Sequence, residues 1–189
     1  MSDNTESTKK KNADRTVYVI LAQGFEEIEA LTTPDILRRN GIDVRTAALN
    51  AESSLTVTGA HAIPVVADMK ASDIGDDIDI LIFPGGMPGT TNIDASPLTD
   101  KLIEKAKKAN AHIAAICAAP SVLGKRGLLR GKEAICYPGF EKHLYGAKIS
   151  DKRVVTDDGI TTAIGMDASL EFANEILRVA KERKAKRNL

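Results

Sequence analysis

Residues 112–125 read HIAAICAAPSVLGK, in which one apolar run passes through a cysteine into another. His112–Ile116 has the length and apolar character of a strand that is buried on both faces. A helix is expected at about Ala119–Lys125, and the small residues on either side of Cys117 allow a sharp turn between the two elements. The segment therefore predicts a strand that turns directly into a helix, with Cys117 at the junction.

Strands and helices alternate along the chain on both sides of this junction. Buried strands are predicted at Thr16–Ala22, Ile42–Leu49, Ile78–Phe83 and near Glu133–Tyr137, and helices at Glu26–Asn40, Leu98–Ala109, near Phe140–Leu144 and from about Asp167 to Lys184. Leu55–Thr58 and Ala62–Val66 are predicted to form a small hairpin or an excursion at the edge of the sheet, and Arg153–Thr156 a hairpin with Ile160–Ile164 through Asp157-Asp158-Gly159. This order predicts an α/β fold, a doubly wound and mostly parallel sheet with a small antiparallel hairpin elaboration.

The first and last predicted helices carry apolar residues at helical spacing. In the first, Ile28, Leu31 and Leu37 fall near one face, and Pro34 predicts a kink. In the last, the expected apolar face consists of Leu170, Ala173, Leu177 and Ala180. Each helix is therefore expected to pack one side against the sheet.

Length and charge limit the organisation and the partners of the chain. Its 189 residues are expected to form one domain at 15–184, between a disordered polar tail at 1–14 and a basic tail at 185–189. The 26 Lys and Arg residues balance 26 Asp and Glu residues, so no overall positive field favours nucleic acid or an anionic membrane. The basic residues from Arg178 onward are one candidate nucleic-acid contact, but a solvated helix end is the favoured interpretation.

Cysteine usage and the first residues indicate a reduced, cytoplasmic protein. Two cysteines cannot form a disulfide scaffold, and no Cys/His cluster predicts a metal site. Cys136 lies in an apolar run without special context and is expected in the core. Met1–Asp14 is polar and charged, unlike a signal peptide, and no apolar run approaches the roughly 18–20 residues that cross a bilayer.

Chemistry is expected where the carboxyl ends of neighbouring parallel strands meet. There the amide groups of a helix N-terminus favour a thiolate, so Cys117 is the candidate nucleophile, and the alternative is a small buried apolar cysteine. Pro84-Gly85-Gly86 follows another buried strand, and the amides of Gly86 and Ala118 are candidates for an oxyanion hole. The sequence thus predicts a nucleophilic site at this edge of the sheet.

Three acidic residues begin the first predicted helix. The helix dipole favours negative charge here, and a solvated position suits Glu26 and Glu27. Glu29 lies between two apolar residues, and a carboxyl held against the Cys117 sulfur would serve as general base and acid, with a pKa raised by burial. The residues alone give Glu29 only a slight advantage over Glu27.

The three histidines receive no catalytic role from the residues alone. His112 begins a strand and His143 lies in a polar stretch, so both are expected to be structural or exposed. His61 lies on the loop before a short extended segment and stays unassigned.

Three motifs resemble the ThiJ/PfpI superfamily in their order and separation: AQGFEEIEA at 22–30, IFPGGMPGTTN at 82–92 and AAICAAPSVL at 114–123. The chain is most similar to the branch of the parkinsonism-associated protein deglycase and its bacterial homologues, over roughly Thr16 to Lys181. The resemblance implies a flavodoxin-like three-layer sandwich, usually a homodimer. It further implies that Cys117 is the nucleophilic or oxidisable cysteine, that Glu29 rather than Glu27 hydrogen-bonds its sulfur, and that the Gly86 and Ala118 amides form the oxyanion site.

Several positions differ from relatives in that family. Ala118 stands where protease-like relatives have His, which argues against a Cys-His peptidase. Tyr137 aligns with a pocket His of the deglycase branch, and Ile164 with an Arg of some relatives, which weakens the expectation of an anionic substrate. His61 stands where several relatives have Arg in a loop that reaches the neighbouring subunit's pocket, so it is a candidate second-subunit contact.

The resemblance and the Cys117–Glu29 pair together predict a cofactor-independent enzyme that acts on small α-oxoaldehydes such as methylglyoxal. In this glyoxalase or deglycase-like reaction Cys117 forms a hemithioacetal and Glu29 moves the proton. The alternative is a redox-sensing stress protein or chaperone in which Cys117 is oxidised to a sulfinic acid.

Overall fold

The computed structural model describes residues 15–49 and 54–187, so the predicted tail at 1–14 lies outside the described residues. The strands are β1 (Thr16–Leu21), β2 (Val44–Ala48), β3 (Thr56–Thr58), β4 (Pro64–Val66), β5 (Met69–Lys70), β6 (Ile78–Phe83), β7 (His112–Ile116), β8 (Glu133–Ala134), β9 (Lys148–Ile149), β10 (Val154–Asp157) and β11 (Ile160–Ala163). The α-helices are α1 (Glu27–Arg39), α2 (Gly89–Ala95), α3 (Pro97–Lys108), α4 (Pro120–Lys125) and α5 (Ser169–Arg187). Single 3-10 turns lie at Ala71–Asp73, Glu141–His143 and Met166–Ala168.

A seven-stranded sheet forms the centre, in the order β10-β11-β7-β6-β1-β2-β5. All neighbours in it are parallel except β10 and β11, which form the predicted antiparallel hairpin. Asp158 and Gly159 join them with φ of 40° and 78°, as a tight hairpin turn requires. The chain runs outward from β1 to β2 on one side and returns to β6 on the other, so the strand order reverses beside β1.

Helices cover both faces of this sheet. Alternate side chains of β1 divide between two apolar cores, because successive residues of a strand point to opposite faces. Val17 and Val19 belong to the core that contains the inner sides of α1 and α5, and Tyr18 and Ile20 to the core that contains those of α3 and α4. The predicted α/β sandwich with a mostly parallel sheet and a small antiparallel elaboration is confirmed.

Some elements differ from the prediction. The strand expected near Glu133–Tyr137 is limited to β8, which pairs with β9 outside the main sheet, because the chain turns away toward Cys117. Helix α2 was not predicted, since its sequence GTTNIDA combines Gly with residues of low helix propensity. Helix α5 extends to Arg187, so Lys186 and Arg187 belong to it. Among the described residues, no helix has the length and apolarity needed to cross a membrane.

The predicted inner faces of α1 and α5 were partly wrong. Ile28 is 49% exposed and Leu170 is 59% exposed. In α5 the buried face instead includes Phe172 and Ile176. The inner face of α1 includes buried polar residues, namely Glu27, Glu29 and Thr33. Hydrophobic spacing was misleading in α1, because its first turn borders a polar site.

Candidate active site

Cys117 lies between β7 and α4 in a left-handed backbone conformation, with φ of 64°. This conformation is strained for a residue with a side chain, so the surroundings must hold it. The Cys117 amide donates to the Ala163 carbonyl at 2.9 Å, and the Tyr137 amide donates to the Cys117 carbonyl at 2.8 Å. The sharp strand-to-helix turn predicted around Cys117 is confirmed.

Glu29 is placed beside Cys117 from the first turn of α1. The Gly85 amide donates to Glu29 Oε2 at 2.9 Å, and the buried Oε1 has no partner in hydrogen-bonding geometry among residues 15–49 and 54–187. A Cβ on Gly85 would lie 2.6 Å from Glu29 Oε2 and 2.7 Å from Cys117 Cβ. The carboxyl and the cysteine therefore flank a glycine that has no room for a side chain, and the predicted pair is brought together.

The thiol and the carboxyl of this pair titrate together. Burial raises the pKa of Glu29 to about 7, opposed by the Cys117 thiol and the Gly85 amide as hydrogen-bond donors. Burial and the Glu29 charge raise the pKa of Cys117 to about 12, opposed by the Ala118 and Gly86 amides. A negative charge on either group therefore disfavours a second one on its partner.

The helix N-terminus is predicted to favour a thiolate at Cys117, whereas burial of the sulfur beside the Glu29 carboxyl opposes one. The amides of Gly86 and Ala118 do interact with the Cys117 sulfur and favour its charge, as expected. Desolvation and a carboxyl from a distant part of the chain act in the opposite direction and raise the pKa of Cys117. The geometry fits a thiol that is deprotonated by Glu29 as it attacks.

Glycines allow the loops of the site to approach each other closely. Gly86 has φ of 89°, and a Cβ there would lie 2.3 Å from the Glu26 amide nitrogen. The Glu26 amide itself donates to the Gly85 carbonyl at 3.0 Å. The loop after β1 and the loop after β6 are thus in backbone contact, and this contact fixes the Gly86 amide near the sulfur.

Tyr137 borders the sulfur on another side. A Cβ on Gly165 would lie 3.2 Å from Tyr137 Cδ2 and 3.9 Å from Cys117 Sγ. The Tyr137 side chain is half exposed, so the ring forms part of the accessible rim. Gly165 was not predicted as a site residue. Its importance follows only from the structure, because a side chain there would crowd Tyr137 next to the Cys117 sulfur.

Glu27 and His61 form a separate contact at the start of α1. The His61 amide donates to Glu27 Oε1 at 2.7 Å, and His61 Nδ1 lies 2.7 Å from Glu27 Oε2. Glu27 is buried, so the solvated position predicted for it was wrong. The His61 partner lowers the pKa of Glu27, and Glu27 raises the pKa of His61. His61 therefore contacts Glu27, two residues before Glu29 in α1, rather than Cys117.

These two residues and Glu26 are a potential ligand set for a metal ion. One donor atom from each lies within 4.8 Å of the others. Glu26 also caps α1, because its carboxylate accepts from the Glu29 amide at 2.7 Å. Glu27 and His61 are hydrogen-bonded to each other, and Glu26 caps the helix. These contacts account for the three side chains without a metal ion.

Three other titratable residues take structural positions, which agrees with their predicted places in the core or outside the site. Cys136 is buried in the core, and burial raises its pKa to about 12. His112 is buried with Nε2 at 2.8 Å from Thr161 Oγ1, and burial lowers its pKa to about 4. His143 is partly buried, and the part of the chain that the structure describes offers its Nδ1 no hydrogen-bond partner.

Fold and site together define a class: α/β proteins with a cysteine at a strand-to-helix elbow, paired with a buried carboxyl. Comparison with known proteins makes this specific. The model of the DJ-1/PfpI family matches residues 15–179, and the chain belongs to that family. The resemblance drawn from the three motifs is confirmed.

Relatives in several organisms share most of the length of the chain. Drosophila melanogaster Protein dj-1beta is 34% identical over 171 residues, which cover 89% of each chain, and its crystal structure superposes with a TM-score of 0.78 over 92% of this chain and 95% of that one. The Caenorhabditis elegans glutathione-independent glyoxalase DJR-1.2 is 32% identical over 169 residues, covering 87% of this chain and 88% of the relative. The structure of oxidized Toxoplasma gondii DJ-1 has a TM-score of 0.79 and 32% identity, covering 92% of this chain and 96% of that one.

Proposed function

We propose that the protein is a cofactor-independent cysteine enzyme that converts small α-oxoaldehydes such as methylglyoxal to α-hydroxy acids. The observation that carries the proposal is the buried Glu29 carboxyl beside the elbow residue Cys117, with a pKa raised to about 7. A carboxyl with that pKa is matched to proton transfer at neutral pH. The name of the C. elegans relative, a glutathione-independent glyoxalase, supports the same class of reaction.

The reaction begins with addition of the thiol to the aldehyde. Glu29 takes the thiol proton while the Cys117 sulfur bonds to the aldehyde carbon, and the carbonyl oxygen becomes an alkoxide that is protonated to give a hemithioacetal. The Gly86 and Ala118 amides already interact with the sulfur. They are the donors proposed to stabilise the developing oxyanion.

An internal proton transfer then completes the isomerisation. Glu29 removes the proton from the carbon bonded to sulfur, giving an enediolate, and returns a proton to the adjacent carbon. The product on Cys117 is the thioester of the hydroxy acid. Water hydrolyses it to the free acid and regenerates the thiol, so no external oxidant or reductant is consumed.

Lactate formation from methylglyoxal tests this proposal. Cys117→Ala and Glu29→Gln should each abolish turnover, because each removes one partner of the pair. Cys136→Ala is the matched control, since this second cysteine lies in the core away from the site. Turnover that survives in either site variant, or that is lost equally in the control, would contradict the assignment.

A second candidate function is redox sensing through Cys117. The Cys117 side chain is partly exposed, whereas Cys136 is buried, so a peroxide reaches the first more readily. Two-step oxidation by a peroxide would convert the thiol to a sulfinic acid, which a protonated Glu29 could hold by a hydrogen bond. Intact mass after mild peroxide treatment tests it: a gain of two oxygens at Cys117 in a protein without aldehyde turnover would favour sensing over catalysis.

We also propose a homodimer, as the family resemblance implies. Ile28 and Ile63 are each about half exposed, and both lie near the Glu27–His61 contact. Their burial between two copies would bring His61 toward the second subunit. Light scattering of the wild type and of Ile63→Lys tests this, and a monomeric wild type would contradict it.

A further inference from the structure

We propose that two neighbouring cavities at the amino-terminal edge of the sheet bind a small organic anion that carries a phosphate or diphosphate group. The cavities border the start of β1, β2 and β7 and the last turns of α5. Cys117 and Glu29 lie beyond the carboxyl ends of strands, at the opposite edge. The inference is therefore independent of the proposed aldehyde chemistry.

Basic side chains dominate the walls of both cavities. The first, of about 270 Å³, is lined by Arg15, Ala109, Asn110, Arg183, Lys186 and Arg187. The second, of about 340 Å³, is lined by Arg15, Gly41, Ile42, Asp43, Arg45, Asp79, Ala180, Lys184 and Arg187. The two share Arg15 and Arg187, and together they present six cationic side chains against two carboxylates.

The two carboxylates are already engaged by their surroundings. Asp79 is buried and accepts from Arg183 Nε at 2.7 Å and from Arg187 Nη1 at 2.5 Å. Asp43 accepts from the Thr16 hydroxyl at 2.8 Å and lies 3.8 Å from Arg45 Nε. These contacts orient the arginines. The single negative charge of Asp79 cannot neutralise both Arg183 and Arg187, so a net positive charge remains.

The remaining cations have no carboxylate partner among the described residues. Arg15 donates through Nη1 to the carbonyls of Ala109 at 2.6 Å and Ile78 at 3.4 Å, which bind its protons without neutralising its charge. Lys184 and Lys186 form no ion pair in this part of the chain. Residues 1–14, directly before Arg15, carry three acids and three lysines, so they add no net charge.

Arg187 gives the most specific indication of a ligand. Its side chain lines both cavities, and its Nε is buried without a hydrogen-bond acceptor among residues 15–49 and 54–187. A buried donor in that state is costly unless an acceptor is supplied. Both terminal nitrogens of Arg187 donate to Asp79, and the helix dipole, which favours cations near its end, does not account for the unsatisfied Nε.

Phosphate groups fit this arrangement better than other common anions. Guanidinium groups bind tetrahedral phosphate oxygens through paired, charge-assisted hydrogen bonds, and several converging cations suit more than one negative charge. The basic residues surround cavities of a few hundred cubic ångströms, a volume typical of small-molecule sites. The favoured ligand is therefore a small phosphorylated molecule rather than a nucleic-acid strand.

Calorimetric titration of the full chain with pyrophosphate tests the proposal, with inorganic phosphate and a single-stranded RNA oligonucleotide as separate arms. We expect saturable pyrophosphate binding with one equivalent per chain. The double variant Arg15→Gln and Lys186→Gln should weaken it by about tenfold or more, because two charge-assisted partners are lost. Lys101→Gln with Lys148→Gln is the control, since it removes the same charge from exposed positions elsewhere.

Thermal unfolding of both double variants shows that each is folded, and methylglyoxal turnover serves as an independent readout. Equal weakening by the two variants would mean that only overall charge matters and would overturn the proposal. Binding of RNA without binding of pyrophosphate, or no saturable heat with either phosphate, would overturn it as well. Loss of turnover by itself bears only on the aldehyde reaction, because the two sites lie at opposite edges.

Discussion

Glu27 and Glu29 lie two residues apart in the first turn of α1, and both side chains are buried. The pKa of Glu27 is lowered, whereas burial raises the pKa of Glu29 to about 7. The difference lies in what each carboxyl meets. Glu27 meets the amide and imidazole of His61, and Glu29 meets one backbone amide and a thiol.

Burial alone therefore does not decide what a carboxyl does. Hydrogen bonds from the amide and the imidazole of His61 lower the pKa of Glu27, so this carboxylate anchors the loop before β4. Glu29 has one oxygen without a hydrogen-bond partner among the described residues, and burial raises its pKa to about 7, so it can exchange a proton near neutral pH. The same helical turn thus contains one anchoring carboxylate and one candidate proton shuttle.

The largest expected effect is a difference in turnover between variants of the two carboxyls. Glu29→Gln should lower kcat/KM for methylglyoxal by about 10²–10⁴-fold, the range for loss of a general base. Glu27→Gln should lower it only a few-fold, because the Cys117 partner is retained. Lactate assays on both purified variants measure this, and comparable losses would remove the distinction between the two residues.

Stability should change in the opposite sense to activity. The carboxyl of Glu29 has a pKa of about 7 when folded against 4.5 in a model compound, so the folded state binds more protons between those values and stability is lost as the pH rises through them. Glu29→Gln should therefore be more stable than the wild type at pH 8 by about 1–3 kcal/mol. Urea unfolding at pH 5 and pH 8 measures the difference, which should be several-fold smaller at the lower pH.

The pH dependence of turnover sharpens the comparison further. If the ionised Glu29 acts as base, kcat/KM should rise about tenfold between pH 6 and pH 8, with a midpoint near 7. Glu27→Gln should keep nearly the same midpoint, since the pKa of Glu27 is lowered and does not enter this range. A flat profile in the wild type would exclude Glu29 as the titrating base.

The smallest expected effect concerns the Glu27–His61 pair. Its stabilisation is present when both groups are charged; it is lost as the pH rises through the raised pKa of His61 and as it falls through the lowered pKa of Glu27. His61→Gln should therefore reduce stability most between about pH 4.5 and 6.5 and little at pH 9. Urea unfolding across this series would argue against the pair if the loss were independent of pH.

Much of the fold is predictable from local sequence. The strands at Thr16, Ile78 and His112 are apolar runs too short for helices, and their parallel arrangement follows from the helices between them. The elbow at Cys117 is predictable because small residues surround it. Helix α2 escapes such reasoning, since its residues have weak helix propensity and contacts with other elements stabilise it.

The site was less predictable because its properties depend on contacts between distant residues. Glu27 and Glu29 look alike in sequence, and only the loop that carries His61 separates them. The charge of Cys117 depends also on the Glu29 carboxyl, which comes from another part of the chain and is not visible in the residues around the cysteine. Gly85 and Gly165 look like ordinary turn glycines until the neighbours that would collide with a side chain are known.

The distance along the chain between Glu29 and Cys117, almost 90 residues, has a consequence for folding. Their meeting requires β1, β6 and β7 to be aligned side by side, and contacts of such high sequence separation form late and slowly. Before then Cys117 is an ordinary thiol without its buried partner. In a refolding experiment, the return of turnover would therefore report the moment at which the central strands have assembled.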